Sequence, residues 1–162
     1  HKDSWGREYA TAFDQKGNRI NGIVEGKRDP GGGFSTDVRA LMMQNTHVLV
    51  HNHPSGASFS DADMGTFIGS NIQHLVVIGG NGYLYRLSKP PKYVPPSQHL
   101  YNAQTSVAGL WQQQKQELSH SYKIKIAEGK YKSEDVAWVE MTHQIVTITA
   151  RALRLSYERI TP

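Results

Sequence analysis

The chain has 162 residues, 38% of them hydrophobic, and 18 Lys plus Arg stand against 14 Asp plus Glu for a net charge of +4. That length suits one ordinary domain, or a compact core with a small helical appendage, and leaves no room for two large domains. No apolar run approaches the roughly 18 residues that a bilayer span requires, which argues against a transmembrane helix or an intact secretory signal.

Cysteine is absent, so disulfide scaffolds, thiolate zinc sites and cysteine nucleophiles are excluded, and any metal must rest on His and carboxylate. The basic residues are scattered apart from Lys27-Arg28 and the stretch from Lys123 to Lys132. This pattern reads as solubility and gives little support to a nucleic-acid partner. The first residue is His1 and not Met, which suggests a fragment or a processed product of a longer chain.

Residues 8–14 (EYATAFD) alternate with period two, and after the turn Gln15-Lys16-Gly17-Asn18 the stretch RINGIVE does the same, which predicts a two-stranded hairpin. Residues 26–33 (GKRDPGGG) cannot continue a strand; Gly31-Gly32-Gly33 suits a flap over a substrate or a plain linker. Ser35 or Thr36 then opens a short helix carrying Val38, Leu41 and Met42 at helical spacing. His47 to Val50 reads as a buried strand that leaves the sheet at His51-Asn52-His53-Pro54-Ser55-Gly56. Ser60-Asp61-Ala62-Asp63 starts a second helix with Met64, Phe67 and Ile68. HLVVIGG and GYLYRLS follow as strands around a hairpin turn, Gly79-Gly80-Asn81-Gly82, with no Lys-Ser/Thr to make a phosphate loop.

The order β-β-α-β-α-β-β predicts an α/β (α+β) fold, a mixed sheet flanked by helices. Four prolines between Lys89 and Gln98 favour an extended connector. The expected organisation is a core over 1–90, a Pro-rich connector over 91–98 and a helical C-terminal extension over 99–162. In the extension, Leu100 to Leu118 reads as helix, Lys123 to Lys132 as a short strand or loop, and Ser133 to Arg159 as one long helix. The wide apolar face of that last helix is either buried or turned to a partner.

Residues two apart on a strand share a face, so His51 and His53 can direct both imidazoles at one ion, with Zn–N bonds of about 2.0–2.1 Å. Asp63, in the first turn of the next helix, supplies a third ligand and leaves a fourth position open for water. Two His and one carboxylate suit zinc, although the same formula also fits iron. Each part has a plainer reading: an isolated His-x-His is commonly surface histidine, and Ser60-x-x-Asp63 is what a helix capping box looks like. Capping and catalysis are compatible, since the Ser60 hydroxyl can also donate to an oxyanion beside the metal. His47 and Asp61 read as a packed histidine and a first-turn charge. His74, His99, His120 and His143 show no ligand spacing.

The string from His51 to Asp63, HNHPSGASFSDAD, resembles the JAMM motif of JAB/MPN-type metalloproteases, His-x-His-Pro, a short spacer, then Ser-x-x-Asp. Its wording is similar to that of bacterial RadC-like and phage-associated members. The spacer between Pro54 and Ser60 holds five residues, one fewer than the family's commonest form. The resemblance covers residues 7 to about 88 and implies a JAB/MPN-like, cytidine-deaminase-like sandwich holding one zinc ion through His51, His53 and Asp63. It further implies hydrolysis of a peptide or isopeptide bond by zinc-activated water, with a strand glutamate as general base and Ser60 stabilising the oxyanion. Glu8 and Glu25 both fit that glutamate, and the setting of Glu8 is closer to the bacterial pattern.

The natural substrate would be a polypeptide with an extended tail, ubiquitin-like tails among the options, and the C-terminal helices would serve a protein partner or a dimer. The setting implied is a module of a larger bacterial, phage or mobile-element protein, a toxin or effector among the options, acting in the cytoplasm of bacterium or host or secreted as an effector. The competing expectation is a non-catalytic JAB-like module that binds protein or nucleic acid.

Overall fold

The computed structural model describes residues 7–26, 35–96 and 103–162. The Gly-rich stretch read as flap or linker falls on residues 27–34, outside the described residues, as do His99 and the start of the helix expected from Leu100. The fold is α/β, with one mixed sheet and helices packed against it. Its elements are β1 (Glu8–Phe13), β2 (Arg19–Gly26), α1 (Thr36–Met42), β3 (Val48–His53), α2 (Asp61–Ile68), β4 (His74–Gly79), β5 (Leu84–Ser88), α3 (Ala103–Ala127), α4 (Glu134–Ala152) and β6 (Ser156–Ile160). Among the described residues the strands form one six-stranded sheet in the order β2-β1-β3-β4-β5-β6, parallel between β3 and β4 and antiparallel elsewhere.

Alternation along the strands makes one face dry. Ala10, Ala12, Leu49, Leu75, Val77, Tyr85 and Leu87 are buried on it. Their neighbours Thr11, Val50, Leu84 and Arg86 point the other way and stay half-buried or exposed. The dry residues share one hydrophobic cluster with Val38 and Leu41 of α1, Met64 and Phe67 of α2, and Ile145 and Val146 of α4. Residues on both sides of the proline-rich connector therefore build the same core. No helix among the described residues is long and apolar enough to cross a membrane.

Two expectations for the C-terminal part are corrected. The Lys123–Lys132 stretch is not a strand or loop throughout, because α3 runs on to Ala127 and stops only at Gly129, which adopts φ +71°. The KIKI alternation mimics period two. Helical spacing wins because Leu118, Tyr122 and Ile126, four residues apart, form a row packed against the core while Ile124 is left exposed. The long helix expected from Ser133 to Arg159 ends at Ala152; Leu153 caps it and Arg154 takes φ +58°. The chain then turns into β6, which pairs with β5 from Leu84↔Ile160 to Ser88↔Ser156. Satisfying the open edge of β5 outweighs two more helical turns. The turn at Arg154 uses a left-handed conformation with no glycine to announce it.

If the C-terminal part is integral to the core, Ile145→Ala should lower the unfolding free energy by about 2–5 kcal/mol in a single cooperative transition, read by chemical denaturation. A separate, earlier transition confined to the helices would contradict this packing.

Candidate metal centre

The site forms where β3 leaves the sheet. A parallel β3-α2-β4 crossover brings the N-terminus of α2 back over the carboxyl end of β3, where open α/β sheets hold ligands. Ser60 is the N-cap of α2 and closes a capping box: its hydroxyl accepts from the Asp63 N–H at 3.1 Å, and its own N–H donates to Asp63 Oδ2 at 2.8 Å. The box fixes the Asp63 carboxylate beside the two histidines. The five-residue spacer between Pro54 and Ser60 thus delivers Asp63 to the two histidines.

The three side chains converge and are buried, with 4% of His51, 9% of His53 and 6% of Asp63 exposed. His51 Nε2 lies 3.1 Å from His53 Nε2 and 3.5 Å from Asp63 Oδ1, and His53 Nε2 lies 3.3 Å from Asp63 Oδ2. These spacings match the edge of a tetrahedron with bonds of about 2.0–2.1 Å, roughly 3.3 Å. His53 Nδ1 sits 3.0 Å from the carbonyl oxygens of both Ala57 and Ser58. Carbonyls only accept, so Nδ1 carries the hydrogen and the ring turns its Nε2 to the cluster.

Two imidazole nitrogens and a carboxylate facing one another in a buried site call for a shared positive charge, a proton or a metal ion. The ionisation of the residues reflects it. Burial alone would push the Asp63 carboxyl up, but the charges and hydrogen bonds of His51 and His53 hold it well below the usual range. Burial likewise opposes protonation of His53, yet the adjacent Asp63 carboxylate and the Glu8 charge raise its pKa. The cluster can hold a metal ion, and among the described residues it is the one group of three or more such side chains within reach of a common point.

The strand register separates the two glutamates. Ala10 stands opposite His51, and Glu8, two residues on, shares that face and comes level with His53. Glu25 pairs with Tyr9, so it lies on the opposite face, where it meets Arg7 at 3.1 Å. The structure therefore brings Glu8 to the cluster and turns Glu25 away. Asn52, between the two histidines, was not singled out from the sequence. Its amide accepts from the Tyr9 N–H at 2.5 Å and donates to the Arg7 carbonyl at 3.1 Å, clamping the backbone on both sides of Glu8.

The other titratable residues lie apart. His47 precedes β3 at its far end and packs edge-to-face on His74, whose Nδ1 meets Ser88 Oγ at 2.8 Å. Asp61 caps locally and accepts from Gln112.

The loop after His53 is held against the Gly79–Gly82 turn. Gly56 has φ +75°, a Cβ there would meet Asn81 Nδ2 at 2.5 Å, and its carbonyl accepts from Tyr85 Oη at 2.8 Å. A Cβ on Gly80 would run into the Pro54 carbonyl.

No family model, curated protein or solved structure matches the chain. The geometry therefore stands on its own.

Gly56→Ala combines a left-handed backbone with a blocked Cβ. It should cost about 1–3 kcal/mol of stability in the metal-free chain, measured by denaturant titration. A change within experimental error would show that the loop relaxes freely.

Proposed function

We propose that His51, His53 and Asp63 hold one Zn²⁺ ion and that the protein is a metallopeptidase cleaving a peptide or isopeptide bond. The observation that carries this reading is the convergence of three buried ligand atoms beside a strand carboxylate, Glu8, on the same sheet face. What a divalent metal supplies in such a site is Lewis acidity, which makes water a nucleophile near neutral pH and polarises a carbonyl oxygen.

The chain's own residues supply the rest. Glu8 is a carboxylate on the face of His51 and His53, able to take a proton from the attacking water at its side-chain oxygen and return it to the leaving nitrogen. Asn52 keeps Glu8 in place by fixing the backbone before and after it. The Ser60 oxygen accepts from the Asp63 N–H, so its own hydroxyl hydrogen is available to the developing oxyanion at the positive end of α2. Burial of the ligands keeps competing water from the cluster and strengthens each of these interactions. A polypeptide in extended form is the substrate class the reading favours. Zinc is favoured over iron because the ligand spacings suit a tetrahedral ion.

The test separates binding from turnover. Glu8→Gln should keep its zinc, measured by elemental analysis, while cleavage of a peptide or isopeptide panel falls by about 10²–10⁴-fold. Glu25→Gln should leave both unchanged. Retained turnover in Glu8→Gln contradicts the role given to Glu8; no turnover in the zinc-loaded unaltered chain on any substrate of the panel favours a binding module instead.

A further inference from the structure

The C-terminal part of the chain, to which the JAMM resemblance does not extend, grips the loop between His53 and Asp63 at two neighbouring residues, Ser58 and Phe59. Ser58 lies in the loop between His53 and Asp63, is buried, and has all three of its polar groups engaged. Its carbonyl accepts from His53 Nδ1 at 3.0 Å. Its N–H donates to Thr142 Oγ1 of α4 at 3.4 Å, and its hydroxyl meets Tyr157 Oη of β6 at 2.8 Å. The next carbonyl, of Phe59, accepts from Trp111 Nε1 of α3 at 3.2 Å. Three elements distant in sequence thus grip two consecutive residues of the ligand loop.

The Tyr157 end of this chain is itself anchored. Its oxygen also lies 2.8 Å from His143 Nδ1, and burial pushes the phenol's pKa up and the His143 pKa down, so both are neutral near pH 7. A neutral phenol has one hydrogen to give and can accept another, which satisfies both partners. An apolar contact would hold the loop as firmly against the core. A fully satisfied polar chain does something else: it fixes which way the Ser58 peptide faces.

That orientation matters because the Ser58 carbonyl, together with that of Ala57, sets the tautomer and tilt of His53. We propose that Tyr157 and Thr142 are positioning residues of the metal centre, holding Ser58 so that its carbonyl aims His53 Nε2 at the ion. This rests on the metal reading of the cluster, and it makes β6 and α4 part of the site and not an accessory to it.

The test compares two Tyr→Phe changes in the full chain. Tyr157→Phe removes the hydroxyl that grips Ser58. Tyr93→Phe removes a similar hydrogen bond, from Tyr93 Oη to the Leu153 carbonyl at 2.7 Å, at the end of α4 and involving neither Ser58 nor its partners. Zn²⁺ affinity is read by competition with a chromophoric chelator, and site geometry by the visible spectrum of the Co²⁺-loaded protein. Tyr157→Phe should weaken zinc binding roughly ten-fold or more and alter the cobalt spectrum, while Tyr93→Phe should match the unaltered chain in both. If Tyr157→Phe does not fold, Ser58→Ala, which deletes the other half of the same hydrogen bond, should give the same loss. Equal affinity and spectrum in the folded loop variant and the unaltered chain, or equal losses in the loop and Tyr93 variants, would overturn the inference alone. An unaltered chain that takes up no metal would overturn the metal reading itself.

Discussion

Two imidazole nitrogens and a carboxylate brought within 3.1–3.5 Å of one another under burial form an arrangement that a shared positive charge, a proton or a metal ion, must relieve. Much of the fold around them serves to keep it. The parallel crossover sets α2 above the end of β3, and the capping box turns Asp63 inward. A turn without side chains at Gly79 and Gly80 lets the intervening loop settle onto the sheet. Removing any one of these would let the donors separate and hydrate.

Asp63 has two functions at once. As the third residue of α2 it accepts the Ser60 N–H, which satisfies a helix-end donor, and its two oxygens face His53 and His51. The helix dipole favours its negative charge. The capping reading and the ligand reading of Ser60-x-x-Asp63 are therefore one structure seen from two sides. The same economy holds at Asn52, whose neighbours belong to the cluster and whose amide holds the strand that carries Glu8.

The parts of this arrangement that are local in sequence were legible there. The hairpin, the first two helices, the strand leading to His51 and the hairpin after it follow from period, turn residues and caps, and so does the convergence of two His and an Asp. What was not legible depends on distant partners. Whether Glu8 or Glu25 faces the cluster is a matter of register between β1 and its two neighbours, which no single strand reveals. The left-handed turn at Arg154 carries no glycine, so β6 read as more helix. With β6 hidden, Tyr157 had no visible reason to be near Ser58, 99 residues away. Thr142 and Trp111 look in sequence like ordinary helix residues, and only the packed structure gives them a carbonyl or amide to meet.

The most direct measurement is a calorimetric titration of the metal-free chain with Zn²⁺, repeated on Asp63→Ala. Binding of one ion per chain, lost in the variant, is the result that the metal reading predicts. No uptake by the unaltered chain, or the same uptake by Asp63→Ala, would mean that the three buried donors are held together by protons alone and that the metal reading is wrong.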